Sequence, residues 1–230
     1  MPRVTAMVLT IRTSVAGERG FLHPVVAANG KARIGSDGVR WRLFDLKSNT
    51  VTFVDDSEKT FRTESLEASI RKRRALLGRP VAFIPLARHE TTGAHRVFSG
   101  VPAHQHTITL GAYKRELWVS DRVLIDPEFF AMQLATEPMS ESNAGVMRNV
   151  FDRLINLQGF PVFDRSEMPY DGKQLMVERS LAKMEQKSIP LAWITVPAGY
   201  RDLDAPATTP DADRPPVSST PVGRNTPKAE

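Results

Sequence analysis

The chain contains no cysteine, which removes disulfides, thiolate-bound zinc and a thiol nucleophile together. No apolar run approaches the roughly 20 residues that a membrane-spanning helix needs. No GxSxG elbow is present to expose a serine to a base, and neither the P-loop pattern nor GxGxxG occurs to cradle a phosphate. Aromatic residues are sparse at 7%, so each one counts as a candidate for core or ligand contact. Acid pairs such as Asp55-Asp56 fall in a turn segment, where aspartate is favoured for its local hydrogen bonding. These absences argue against an enzyme and imply no cofactor.

What is present is a moderately apolar, basic chain: 41% hydrophobic residues, 25% charged residues and a formal net charge of +5 over 230 residues. That apolar content supports a core, and the length suits a single domain. Residues 204–230 are rich in Pro, Thr, Ser and Asp and almost free of apolar side chains. Such a segment cannot bury enough surface to order itself, so the expected organisation is one domain over 1–203 and a disordered tail. The basic residues are spread along the chain except in one helix, and no nucleic-acid module accompanies them, so no nucleic-acid partner is expected.

Patterning points to strands. Met7, Leu9 and Ile11 alternate with Val8, Thr10 and Arg12. Asn29-Gly30 is a hairpin signal between Phe21–Ala28 and Lys31–Ile34. Val39, Trp41 and Leu43 share one face of the next strand and Arg40 and Arg42 the other. Ser48-Asn49 and the acidic stretch from Asp55 mark further turns around Val51–Val54. Four short strands at 81–86, 95–98, 104–110 and 115–119, parted at Thr92-Gly93, Gly100–Pro102 and Gly111-Ala112, have meander spacing. Asp171-Gly172 marks a hairpin whose second strand alternates from Gln174 to Met184 and stops at Ile189-Pro190, since proline offers no N–H to a ladder. Trp193 and Val196 read as a final strand, left at Pro197–Tyr200. Three helices are expected. Residues 64–77 begin acidic and end in the basic run Arg71, Lys72, Arg73 and Arg74, which suits the helix dipole. The other two open at Asp126-Pro127 and near Ala144, with Phe129, Phe130 and Leu134 on the first and Met147, Phe151, Leu154 and Ile155 on the second.

The order of these pieces carries a resemblance. GFPV at 159–162, the DGK hairpin, the long strand broken at Ile189-Pro190, VPAGYRDL at 196–203, ELWVSD at 116–121 and FDLKSNTVTFVDDSEKTF at 44–61 together resemble the LolA/LolB-like class of bacterial envelope proteins. The resemblance implies a mainly β (α+β) fold: a single curved antiparallel half-barrel sheet with a few helices over its concave face. It also implies a non-catalytic protein holding an apolar ligand, a lipid or lipoprotein acyl chain, in a periplasmic or outer-envelope setting. The lipid-attachment cysteine of some such proteins is absent. The first twelve residues make a poor leader, because their apolar stretch is short and runs into Arg12. A leader upstream of this start is therefore expected, with a cytoplasmic protein as the alternative.

The apolar residues assigned to the ligand cavity are Trp41, Leu43, Phe53, Phe130, Phe151, Leu154 and Trp193. The alternative is an interaction scaffold in which these side chains fill the core themselves. The basic run at 71–74 offers a contact for an anionic membrane surface or an acidic protein. Four of the five histidines fall between His89 and His106, and His104 and His106 on a strand would share a face. A third ligand would be His95 or Glu90; without HExxH or an acid-rich companion no metal site is assigned, and a His-based metal-binding protein stays as the lesser alternative.

Overall fold

Turn chemistry sets the first ladder. In this computed structural model, which describes residues 2–35, 39–76, 86–123, 125–126, 128–136, 144–170 and 173–205, Asn29 and Gly30 hold φ of 54° and 76°. A two-residue turn between right-twisted strands needs that left-handed pair. It joins β2 (Phe21–Ala28) to β3 (Lys31–Gly35), with Ala28 opposite Lys31. β1 (Arg3–Val15) lies on the other side of β2, and β4 (Arg40–Asp45), β5 (Thr50–Asp55) and β6 (Thr60–Ser65) continue the meander. After α1 (Leu66–Leu76) come β7 (Arg88–Phe98), β8 (Val101–Leu110) and β9 (Tyr113–Ser120). α2 (Glu128–Thr136) and α3 (Ala144–Leu154) follow, then β10 (Phe160–Tyr170), β11 (Lys173–Pro190), a single 3-10 turn (Leu191–Ile194) and β12 (Arg201–Asp202).

The strands form one open twelve-stranded sheet in the order β12-β6-β5-β4-β3-β2-β1-β11-β10-β9-β8-β7. Neighbours are antiparallel except β12, which runs parallel to β6, so the sheet is mixed rather than purely antiparallel. The thirteen-residue β1 pairs along β11 and welds the meander β2–β6 to the meander β7–β10. The sheet is also strongly rolled. In a flat sheet β7 would lie about 19 Å from β11, four steps of roughly 4.8 Å. Yet Ser99, at the tip between β7 and β8, donates its hydroxyl to the Leu181 carbonyl of β11 at 2.7 Å.

Apolar side chains fill both faces. The helices cover one: Phe129 and Met132 of α2 reach Leu9, Ile11, Val25 and Phe44, while Phe130, Leu134, Phe151 and Leu154 pack on Ile108, Leu110, Leu117 and Val119. Opposite lies a second layer of Ala6, Val8, Val26, Trp41, Leu43 and Val54, covered by Leu191, Ile194, Val196 and Tyr200 of the C-terminal segment.

Several expectations need correction. The final strand expected at Trp193 and Val196 is instead the 3-10 turn and a loop, because Pro190 ends the ladder and Ile194 is drawn down onto the sheet face. Thr92-Gly93 is not a turn but a bulge within β7, with the register slipping between Thr91 and His95 and Gly93 at φ 74°. Glu64 and Ser65 belong to β6, and the Ser65 hydroxyl accepts from the Ala68 N–H at the start of α1. Val39 precedes β4 and is 62% exposed, unlike Trp41 and Leu43. The strand expected at 81–86 lies outside the described residues save for Leu86, as do the turn residues Asp171 and Gly172 and the tail from 206 onward. The ladder they would close is intact up to Tyr170 opposite Lys173.

Candidate functional site

The ends of β3, β4, β5 and β6 border a cleft of about 480 Å³. Cross-strand register explains its lining. Ile34, Arg42, Phe53 and Arg62 stand directly opposite one another on successive strands, and directly opposite residues of an antiparallel ladder project to the same face. Half-buried Phe53 therefore lies between two arginines. The Arg62 guanidinium sits 4.9 Å from the Phe53 ring centre, and that of Arg42 lies 5.9 Å from the ring of Phe44. The next row, Gly35, Trp41, Val54 and Phe61, borders the cleft as well, with Leu203 closing it from the C-terminal segment. Gly35 has φ 119°, and a Cβ there would come within 2.9 Å of the Trp41 Cα. Only glycine gives this close approach without strain.

Two carboxylates fix the rim. Asp55 is pulled down to about 2, first by the Ser57 hydroxyl at 2.5 Å, then by Arg40 and the Glu58 N–H. Arg40 Nε donates to Asp55 at 2.8 Å. Asp56 accepts at one oxygen from both Trp41 Nε1 (2.8 Å) and the Tyr200 hydroxyl (3.0 Å). The C-terminal segment is held further by the Arg201 N–H to the Lys59 carbonyl, the Leu203 N–H to the Phe61 carbonyl and the Thr63 N–H to Asp204.

Of the residues singled out in the sequence, Trp41 and Phe53 meet at this cleft. Leu43 lies in the layer under the C-terminal segment. Phe130, Phe151 and Leu154 are 6%, 4% and 2% exposed and interlock between α2, α3 and the strands beneath. Trp193 is 42% exposed, and its backbone carbonyl accepts from Arg33. The basic run is dispersed by helical geometry. Arg73 is buried, Arg71 pairs with Glu67, Lys72 with Glu64, and Arg74 with Asp152.

Of two further polar groups, the histidine cluster was visible in the sequence and the Arg115–Asp164 pair was not. Arg115 forms a two-pronged pair with buried Asp164 at 2.7 and 2.6 Å, and Arg179 adds a contact at 3.3 Å. Burial pushes the Asp164 carboxyl up, but the two arginines outweigh it and hold the group below its ordinary value. The pair sits beside a small space lined by Ile11, Phe130 and Phe160. On β7 and β8, His89 Nε2 lies 2.9 Å from His106 Nδ1, and the rings of His104 and His106 are 4.9 Å apart. Burial, helped by the two neighbouring imidazoles, lowers His106 to about 4. Among the described residues no group of three or more His, Cys, Asp or Glu is arranged to hold a metal ion.

No protein-family model matches the chain. No curated protein matches it either. Among solved structures it is similar to PNGF-II in its C2 and P21 crystal forms, each with a TM-score of 0.46 and 9% identity. Those matches cover 87% and 86% of this chain, which spans only 31% of the length of PNGF-II. It is also similar to a LolA superfamily protein, NE2245 from Nitrosomonas europaea, with a TM-score of 0.28 and 12% identity over 84% of this chain and 90% of that one. From likenesses at these TM-scores and identities no family, activity or ligand follows for this chain.

Proposed function

We propose that this protein is a non-catalytic binder of an apolar ligand, working in the bacterial envelope, and that the ligand enters the cleft at the ends of β3–β6. The observation that carries the reading is the cleft itself: about 480 Å³, bordered by Ile34, Trp41, Phe53, Phe61 and Leu203. That volume lies within the range of small-molecule sites, and aromatic walls with a few polar groups at the rim suit an apolar guest. On this reading Phe130, Phe151 and Leu154 are the packed support of the sheet, not its ligand contacts. The ligand is a lipid or a single acyl chain.

The test is uptake of Nile red, followed by native mass spectrometry of protein purified gently from its own source. Phe53→Asp places a charge in the wall at a half-buried position and is expected to abolish dye uptake while the far-ultraviolet spectrum stays unchanged. A parent protein that takes up no dye and carries no ligand would leave the scaffold reading, which the tight packing of Phe151 and Leu154 favours.

A further inference from the structure

We infer that His89, His104 and His106 form an acid-sensitive latch, which at neutral pH fastens the Arg88–Thr91 arm of the edge strand β7 to β8 and in acid lets that arm go. β7 is the last strand in the sheet order and is exposed from Arg88 to Val97. Beyond the arm, Thr92, Gly93 and Ala94 bulge out of the ladder, with Gly93 at φ 74° and nothing within 4 Å of where its Cβ would stand. The far end of β7 is anchored separately, by Phe98 stacked on Phe163 and by the Ser99 hydroxyl on β11. The bulge uncouples the arm from that anchor. What holds the arm is the ladder from Arg88 opposite Thr109 to Thr91 opposite His106, together with His89, whose Nε2 lies 2.9 Å from Nδ1 of His106. The Thr91 hydroxyl is 3.3 Å from the same nitrogen.

The latch works through the tautomer. His106 is 8% exposed, and its Nε2 is buried without a hydrogen-bond partner. A proton there would be a buried N–H with no acceptor, so the neutral ring carries its proton on Nδ1 and donates it to His89 Nε2. Acid has two places to add a proton, and both oppose the closed arm. On His106 the proton must go to the buried Nε2. On His89 it must go to the accepting nitrogen, which leaves two N–H groups facing each other. The His104 ring, 4.9 Å from that of His106, adds a like charge once it is protonated, and His95 stands opposite His104. The other charges nearby do not offset this. Arg88 and Glu90 pair with each other, and on β9 Leu117 stands opposite His106 while Arg115 is committed to Asp164. α3, packed on β8, carries Arg153 and Asp152, the latter paired with Arg74, and α1 brings the buried Arg73. Asp121 and Asp126 line a space that His104 reaches and His106 does not. Burial, then the two neighbouring imidazoles, depress His106 to about 4. An opened arm returns the ring to water and to its ordinary 6.5, so the open form takes up the proton more readily and gains weight as pH falls between those values.

The experiment is hydrogen exchange at the amides of residues 88–91 in the full chain, followed from pH 6.5 to pH 4 and referred to unfolded-chain rates at each pH. Protection of the arm is expected to fall at least about tenfold, the worth of one pKa unit, while Phe44 and Val51 in β4 and β5 keep theirs. His89 is exposed, so its replacement is compatible with folding, and thermal melting of each variant checks this. His89→Gln offers a carbonyl that accepts from Nδ1 and takes up no proton, so the arm should keep most of its protection in acid. His89→Ala removes the acceptor and should loosen the arm at both ends of the pH range. Nitrogen-correlated spectra of the imidazoles read the tautomer directly, and His106 should carry its proton on Nδ1 at pH 6.5. An arm whose protection does not change with pH, or falls in step with every other strand, would overturn the latch. So would a folded His89→Gln variant that responds to acid as the parent does, or a neutral His106 with its proton on Nε2.

Discussion

Asp164 and His106 are residues whose burial and charge pull against each other. Replacing Asp164 by Asn would keep the shape but remove the carboxylate from a buried Arg115. Breaking such a pair from one side costs about 3–5 kcal/mol. Urea denaturation of Asp164→Asn should show a loss of that order, and a loss below 1 kcal/mol would mean that Arg115 finds other partners on the spot. His106 works through pH. Its folded value is depressed to about 4 from an ordinary 6.5, so between those values the unfolded chain takes up a proton that the folded chain refuses. Stability therefore falls as pH drops from 6.5 to 4 and levels off below. The loss is expected to be about 1–3 kcal/mol, allowing for screening by solvent around exposed His89. His106→Gln should flatten this part of the stability profile. Asp164 acts lower, where its contribution fades as pH falls below the ordinary carboxylate value.

At the scale of elements, the helix-covered part of the sheet behaves as a core and the strand-end cleft as a surface. Phe151 is 4% exposed and packs with Leu154, Phe130 and Val150. Phe151→Trp is expected to cost about 1–3 kcal/mol by overpacking and to leave dye uptake unchanged. A variant that keeps its stability but loses uptake would move the ligand under α3. The C-terminal segment has its own lever. The Tyr200 hydroxyl and the Trp41 indole share Asp56, so Tyr200→Phe removes one hydrogen bond and should cost about 0.5–1.5 kcal/mol, measured by thermal melting. Much of this element layout was legible in the sequence, because period-two alternation in β1, Asn29-Gly30 between β2 and β3, and the stop at Pro190 are local signals. The C-terminal segment was not. Trp193 and Val196 have strand propensity, but they follow a proline and lie over a sheet already paired on both sides, so tertiary packing decided their conformation. The Arg42–Phe53–Arg62 row was equally hidden. Arg42 was legible as a residue facing away from Trp41, but only the register between strands places it across from Phe53, and register is not written in any one strand.

For the whole molecule, the topology joins the two ends of the chain. β1 pairs with β11 from Arg3 opposite Pro190 to Val15 opposite Val177, and in the strand order this ladder joins the meander of β2–β6 to that of β7–β10. Each meander is built from short hairpins whose partners are near in sequence. The joining ladder must close a loop of most of the chain, and loop closure of that kind is slow because its entropy is lost before any contact is gained. The roll of the sheet adds a further late contact, since Ser99 reaches β11 only once β8, β9 and β10 are in place between them. Refolding is therefore expected to pass through a state in which β4 and β5 are protected while β1 and β11 are open. Pulse-labelled hydrogen exchange after dilution from urea would read it directly, with amides such as those of Phe44 and Val51 protected in an earlier phase than those of Leu9 and Leu181. Ser99→Ala should leave the early phase unchanged and speed unfolding, because its hydrogen bond belongs to the finished roll. Protection of all four amides in one phase would show that the two meanders do not fold ahead of the ladder that joins them.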